Sequence, residues 1–199
     1  MMRKLEPVTL QGPHATLEPL SLAHEAEAIE AARDGALWRL WYTLVPAPEG
    51  MRAEIERRLG LQDKGSMLPF AVRDASGVFA GMTTFMNIDA ANRRLEIGST
   101  WYRRSVQRTG LNTCCKLLLL THAFEALDCI AVEFRTHWFN QQSRAAIARL
   151  GAKQDGVLRN HQLMPDGSLR DTVVFSIIRS EWPAVKTHLQ FLLERPGES

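Results

Sequence analysis

Gln107-Arg108-Thr109-Gly110-Leu111-Asn112 follows a strand-like run that ends near Tyr102 and opens a helical run beginning at Leu111. Backbone N–H groups in a glycine-containing turn at a helix start present unpaired donors and the positive end of the helix dipole, the local makings of a phosphate site. One strand later, Asn140-Gln141-Gln142-Ser143-Arg144 gathers a side-chain amide, a hydroxyl and a guanidinium within about one turn of a second helix start.

Upstream of the turn the apolar period is two. Leu68, Phe70 and Val72 alternate, Asp74-Ala75-Ser76-Gly77 turns, and Val78, Ala80, Met82, Thr84, Met86 and Ile88 alternate again. Leu95, Ile97, Ser99 and Trp101 follow a turn near Asn92, so three consecutive antiparallel strands are expected. Downstream, Leu117, Leu120, Phe124 and Leu127 stripe a helix and Ile130, Val132 and Phe134 a strand. Ser143, Ile147 and Leu150 share the face of a helix stopped by Gly151. Pro165-Asp166-Gly167 turns a terminal hairpin, and Ser180-Glu181-Trp182-Pro183 starts a last helix. Towards the N-terminus, His14 to Leu20 reads as a strand and Ser21 as a helix cap, with Leu22, Ala26 and Ile29 at helical spacing. A second helical segment is expected to carry Trp38, Trp41 and Tyr42 as far as Pro46 and Pro48. A third holds Met51, Ile55 and Leu59 and is closed by Gly60 or Gly65. Helices interleave with strands, yet hairpins join the middle strands. The class is therefore α/β, a mixed sheet with helices on both faces.

Composition narrows the function. At 199 residues, 45% hydrophobic and 23% charged, the chain reads as one domain over 1–199. A net charge of +2 offers no basic stripe for nucleic acid, although Arg103, Arg104, Arg108 and Lys116 lie near the turn. Three cysteines, with Cys114 and Cys115 adjacent in an aliphatic helix, fit neither a disulfide framework nor a zinc site and read as buried thiols. The six histidines share no ligand spacing, so no metal is expected. No apolar run approaches a membrane span, and a cytoplasmic protein is expected.

In their order these segments resemble the GNAT acetyltransferase superfamily, in its branch related to ribosomal-protein alanine N-acetyltransferases. The likeness runs from Val8-Thr9-Leu10 and Leu17-Glu18-Pro19-Leu20 through Leu95-Glu96-Ile97-Gly98, the turn, and Asn140 to Gly151. It continues over Asp155 to Arg159 and Pro165-Asp166-Gly167 to Trp182-Pro183. The superfamily turn reads Gln/Arg-x-x-Gly-x-Gly/Ala; its last position is Asn112 here. The resemblance implies the GNAT fold, mostly antiparallel and splayed between its fourth and fifth strands, and acetyl-CoA as cofactor. Gln107, Arg108, Thr109, Gly110, Leu111, Asn112 and Thr113 would hold the pyrophosphate, with Asn140 and Arg144 at the second helix and Thr100 and Trp101 at the strand end that meets the oxyanion. It implies Glu96 as the base, with His161 a rival because its unperturbed pKa is closer to neutral. Ser143 would be the acid for the leaving sulfur. Trp38 and Tyr42, with Trp41, fall in the segment that forms the acceptor wall, where aromatic spacing equally suits a core. Trp138 and Phe139 would line the acyl side. The implied activity is acetyl transfer to a primary amine, either a small molecule or a protein N-terminus; the alternative is a non-catalytic acyl-CoA sensor or partner-binding domain. Oligomeric state is left open, with the hairpin beside Val173, Val174 and Phe175 as the edge through which a homodimer would pair.

Overall fold

The computed structural model describes residues 2–194. Eight strands form one sheet: β1 (Leu10–Gln11), β2 (Ala15–Pro19), β3 (Met67–Asp74), β4 (Phe79–Asp89), β5 (Arg94–Tyr102), β6 (Ala131–His137), β7 (Lys153–Leu163) and β8 (Leu169–Ile178). They lie in the order β1-β2-β3-β4-β5-β6-β8-β7, antiparallel throughout except for the parallel pair β5–β6. Helices α1 (Glu25–Arg33) and α2 (Met51–Asp63) pack on one face. Helices α3 (Gly110–Thr121), α4 (Gln141–Arg149) and α5 (Trp182–Glu194) pack on the other.

The parallel pair decides where a ligand can enter. Only Arg94↔Ala131, Leu95↔Val132 and Glu96↔Glu133 are in register, and beyond them β5 and β6 run apart. This is the expected splay, between the fourth and fifth strands once the two-residue β1 is left aside. Beyond Glu96 the edge of β5 that faces β6 has no strand partner, so its backbone groups are open to another occupant.

Helices on both faces bury the middle strands on both sides. Met67 to Val72 are all buried, which explains a run richer in apolar residues than simple alternation predicts. In β4 the expected single-faced series from Val78 to Ile88 breaks. Val72 pairs Gly81 while Arg73 pairs Phe79, so Ala80 bulges out of the register. Ala80 then packs with the α3 side, Met82 with the α1 side, and Val78 is exposed. Gly81 is required here, since a Cβ would lie 2.0 Å from the Trp101 carbonyl oxygen.

Several helical expectations change. In α1 the buried residues are Ala28, Ala31 and Ala32, whose small side chains let the helix lie close on the sheet; Leu22 is exposed and Ile29 only half-buried. The Trp38 segment is not an α-helix. Gly35 (φ +99) and Ala36 (φ +46) adopt left-handed backbone, leaving one 3-10 turn over Leu37–Arg39 and an irregular loop up to Pro48. Helix α2 continues through Gly60 and ends before Gly65 (φ +73). Ile130 is exposed and lies outside β6, whose apolar face is Val132 and Phe134. The hairpin does not offer Val173 and Phe175 as an edge: β8 is internal, between β6 and β7, and both side chains are in the core.

Lys116 is the unexpected member of α3. Far from serving a phosphate, it is 5% exposed, donates to Thr100 Oγ1 at 3.2 Å and stands 5.9 Å from the Phe134 ring, with no ion pair among the described residues. Burial pushes its ammonium down from 10.5 to about 8. The folded state therefore binds fewer protons than the unfolded state between these values, and this group's contribution to stability rises with pH across that window. Below it the buried charge costs about 3 kcal/mol. Lys116→Met is expected to raise the unfolding free energy at pH 7 by about 1–3 kcal/mol and to flatten the rise between pH 8 and 10, measured by urea titration.

Candidate active site

Thr109 caps α3. Its extended backbone (φ −114, ψ 179) lets Oγ1 accept from Leu111 N–H at 3.3 Å while the hydroxyl donates to the Val106 carbonyl at 2.7 Å. The N–H groups of the first helical turn have no α-helical acceptor, so those of Gly110 and Asn112 remain for a ligand. Arg108 enters the turn at φ +60 and is exposed. Gln107 is a brace: its Nε2 donates to the Tyr102 carbonyl at 2.9 Å and its Oε1 accepts from Gln142 at 3.4 Å, tying the end of β5 to the start of α4.

Other parts of the turn face inward. Leu111 is core, and Thr113 is buried with its hydroxyl receiving Arg149 at 3.2 Å, which leaves only its backbone for phosphate. Gly110 owes its identity partly to His14, whose ring would lie 3.3 Å from a Cβ. Arg103 is drawn away by Asp74 and the Phe79 carbonyl. At the strand end, Ser99 (φ +48) shifts the alternation, so the Trp101 side chain packs with Phe79 and Met82 and the Thr100 hydroxyl meets Thr83 at 2.8 Å and Lys116. The Trp101 side chain is thereby buried and the Thr100 hydroxyl already engaged.

At the second helix, Asn140 is the N-cap, its Oδ1 accepting from Ser143 N–H at 3.0 Å. Ser143 is half-buried in the first turn. Arg144 lies 4.3 Å from the centre of the Trp138 ring and donates to the Trp138 carbonyl.

Across the sheet from α3, the strands that diverge carry a polar row. Glu96 is 5% exposed; Asn87 Nδ2 donates to its Oε2 at 2.7 Å, and Arg135 Nε stands 3.5 Å from the same oxygen. Burial raises its pKa above the usual carboxylate value, against the lowering pull of Asn87 and Arg135. Glu133 joins this group by accepting from Arg94 and Arg135. A cavity of about 160 Å3 opens between Asn87, Arg94, Glu96, Glu133 and Arg135.

Of the aromatic residues expected near the site, Trp41 and Phe139 come together at the end of β6. Trp38 packs against the α1 core, and Tyr42 reaches the site only by an edge contact with Trp41. Trp41 itself meets His137 (5.1 Å, 78°) and Phe139 (5.6 Å). His137, unread in the sequence, is the last residue of β6 and 2% exposed. A lone histidine at a strand end carries no local signal.

Residues 14–153 match the family model described as the acetyltransferase (GNAT) domain. The chain belongs to the GNAT acetyltransferase family. Members of this family draw on acetyl-CoA. This GNAT chain is 33% identical over 110 residues to the Bacillus subtilis protein named "Putative ribosomal N-acetyltransferase YdaF", a match spanning 55% of the chain and 59% of that relative's length. A solved GCN5-related N-acetyltransferase from Brucella melitensis is 34% identical with a TM-score of 0.84, covering 98% of this chain and 89% of that one. Mycobacterium smegmatis RimJ, solved with a CoA disulfide, shares the fold at TM-score 0.80 and 23% identity over 94% of this chain and 95% of that one. No helix among the described residues is long and apolar enough to cross a membrane.

Proposed function

We propose that this chain transfers an acetyl group from acetyl-CoA to a primary amine by direct transfer in a ternary complex. The observation that carries this reading is Glu96, a buried carboxylate made more basic by burial, on the strand whose free edge leads to the donor-rich start of α3. The unpartnered backbone of β5 and the N–H groups of Gly110 and Asn112 fit an extended thioester cofactor with a pyrophosphate. Acetyl-CoA, when bound, supplies the acetyl group in activated form.

The acceptor must lose a proton, because an amine with pKa ~10, or ~8 for an α-amine, is mostly protonated at neutral pH. Glu96 takes that proton, directly or through a water in its cavity, and Asn87 and Arg135 hold its carboxylate in place. His161 is the poorer base. It is exposed on β7, separated from β5 by β8 and β6, and its Nδ1 is engaged with Thr172 at 3.0 Å. Ser143, in the first turn of α4, stabilises the departing CoA thiolate by a hydrogen bond, the thiolate taking its proton from solvent, and Asn140 and Arg144 line the same lip of the cleft.

Calorimetric titration with acetyl-CoA tests the cofactor half. Asn112→Asp is the sharper control, since an acidic residue in the first helical turn favours folding yet opposes a phosphate. Affinity is expected to fall at least about tenfold in the variant; equal binding removes the turn from the site. Thiol release on adding amines tests transfer, and cofactor binding without release under any acceptor favours the sensor alternative.

A further inference from the structure

Helices α1 and α2 cover only part of their face of the sheet. Among the described residues no α-helix covers its continuation over β6, β8 and β7, where Glu133, Arg135, His137, Thr172 and Arg170 lie on the same side as Glu96 of β5 by the register Glu96↔Glu133, Arg135↔Val174 and His137↔Thr172. The charges on this row pair off with one exception. Arg94 and Arg135 meet Glu133, and Arg135 also reaches Glu96. Arg170, half-buried, gives its Nε to Thr172 Oγ1 at 3.0 Å and forms no ion pair among the described residues. Asp171, its neighbour in sequence, points to the opposite side and is taken by Arg159 and the Asn160 N–H.

His137 supplies a second unsatisfied donor. The Phe139 N–H donates to Nδ1 at 3.1 Å, which assigns the ring proton to Nε2. That Nε2 is buried and meets no partner among the described residues. A buried donor left without an acceptor is costly, and the guanidinium beside it feels Glu96 through space but has no carboxylate in hydrogen-bonding contact, so both can take one more acceptor. Trp41 and Phe139 wall the histidine, giving an apolar surround in which a charge-assisted bond is strong.

We infer that Arg170 and His137 form a recognition site for a carboxylate borne by the acceptor, so that the amine presented to Glu96 belongs to a molecule with a carboxylate close by. That molecule is either a free amino acid or a peptide with an acidic residue next to its N-terminus. The inference rests on the transferase reading for calling this ligand the acceptor. The binding it predicts is measured without turnover.

Two matched pairs are titrated calorimetrically into the full chain saturated with CoA: alanine against alaninamide, and the C-terminally amidated peptide Ala-Asp-Ala-Ala against Ala-Asn-Ala-Ala. The carboxylate member of at least one pair is expected to bind at least about tenfold more tightly, and which pair it is identifies the source. Arg170→Gln is expected to abolish that preference and His137→Phe, which keeps the ring stacking, to reduce it. Equal binding within both pairs, binding of no member, or an unchanged preference in Arg170→Gln overturns the inference. Discrimination that survives with no thiol release upon substitution of acetyl-CoA sinks the transferase reading instead and leaves the carboxylate site standing.

Discussion

Arg58→Met lowers the unfolding free energy by about 3–5 kcal/mol, the cost of opening a buried ion pair from one side. Arg58 is 2% exposed on α2, and its guanidinium reaches three elements: Nε to Glu54 at 2.7 Å, Nη1 to Thr84 Oγ1 at 2.9 Å, and Nη2 to the Ser99 carbonyl at 3.1 Å. The methionine keeps the apolar stem and loses every polar contact, leaving Thr84, which is fully buried, without its donor. Ser99 is the left-handed residue that turns Trp101 into the α1 core and Thr100 towards Lys116, so acetyl-CoA affinity should drop along with stability. Urea titration and calorimetry measure both. A loss below about 1 kcal/mol contradicts a central role for the guanidinium.

Glu96→Gln is expected to lower kcat by about 10²–10⁴-fold while leaving acetyl-CoA affinity intact, because the amide keeps the shape of the carboxylate and cannot accept a proton. Sign and position of the pH effect follow from burial. The base is active when ionised, so kcat/KM of the parent falls as pH drops through the raised pKa of Glu96, and this acid limb lies above the ordinary carboxylate range. In the variant the limb disappears. Unchanged turnover across pH transfers the role of base to another group.

How much of the site was legible depended on the reach of each contact. Thr109 caps Leu111 and Asn140 caps Ser143, bonds two and three residues long, and both helix starts stand where the local sequence puts them. The order of strands and helices was likewise readable, since hairpin turns and apolar period are local properties. The helix expected to carry Trp38, Trp41 and Tyr42 fails for a local reason: a left-handed Gly35-Ala36 pair follows α1 and leaves a loop from which Trp41 reaches His137 of β6. Which way the Thr100 and Trp101 side chains point was not legible, because Ser99 carries no mark of its positive φ, a conformation set by the bulged pairing with β4 and the hold of Arg58.

By itself the sequence determined most of the elements, their order and the two helix starts at Gly110 and Gln141, because each depends on residues within a few positions of one another, and the order of its motifs carried the family. Tertiary structure alone decided which side chains face the cleft. Glu96 becomes a buried, braced carboxylate only when β4 brings Asn87 and β6 brings Arg135. Lys116 turns from a cation near the turn into a buried amine, and Arg170 and His137 are brought to neighbouring strands only by the β6–β8 ladder. Burial and the pairing of charges are sums over distant segments, and the free energy that fixes them has no expression in the chain until those segments pack.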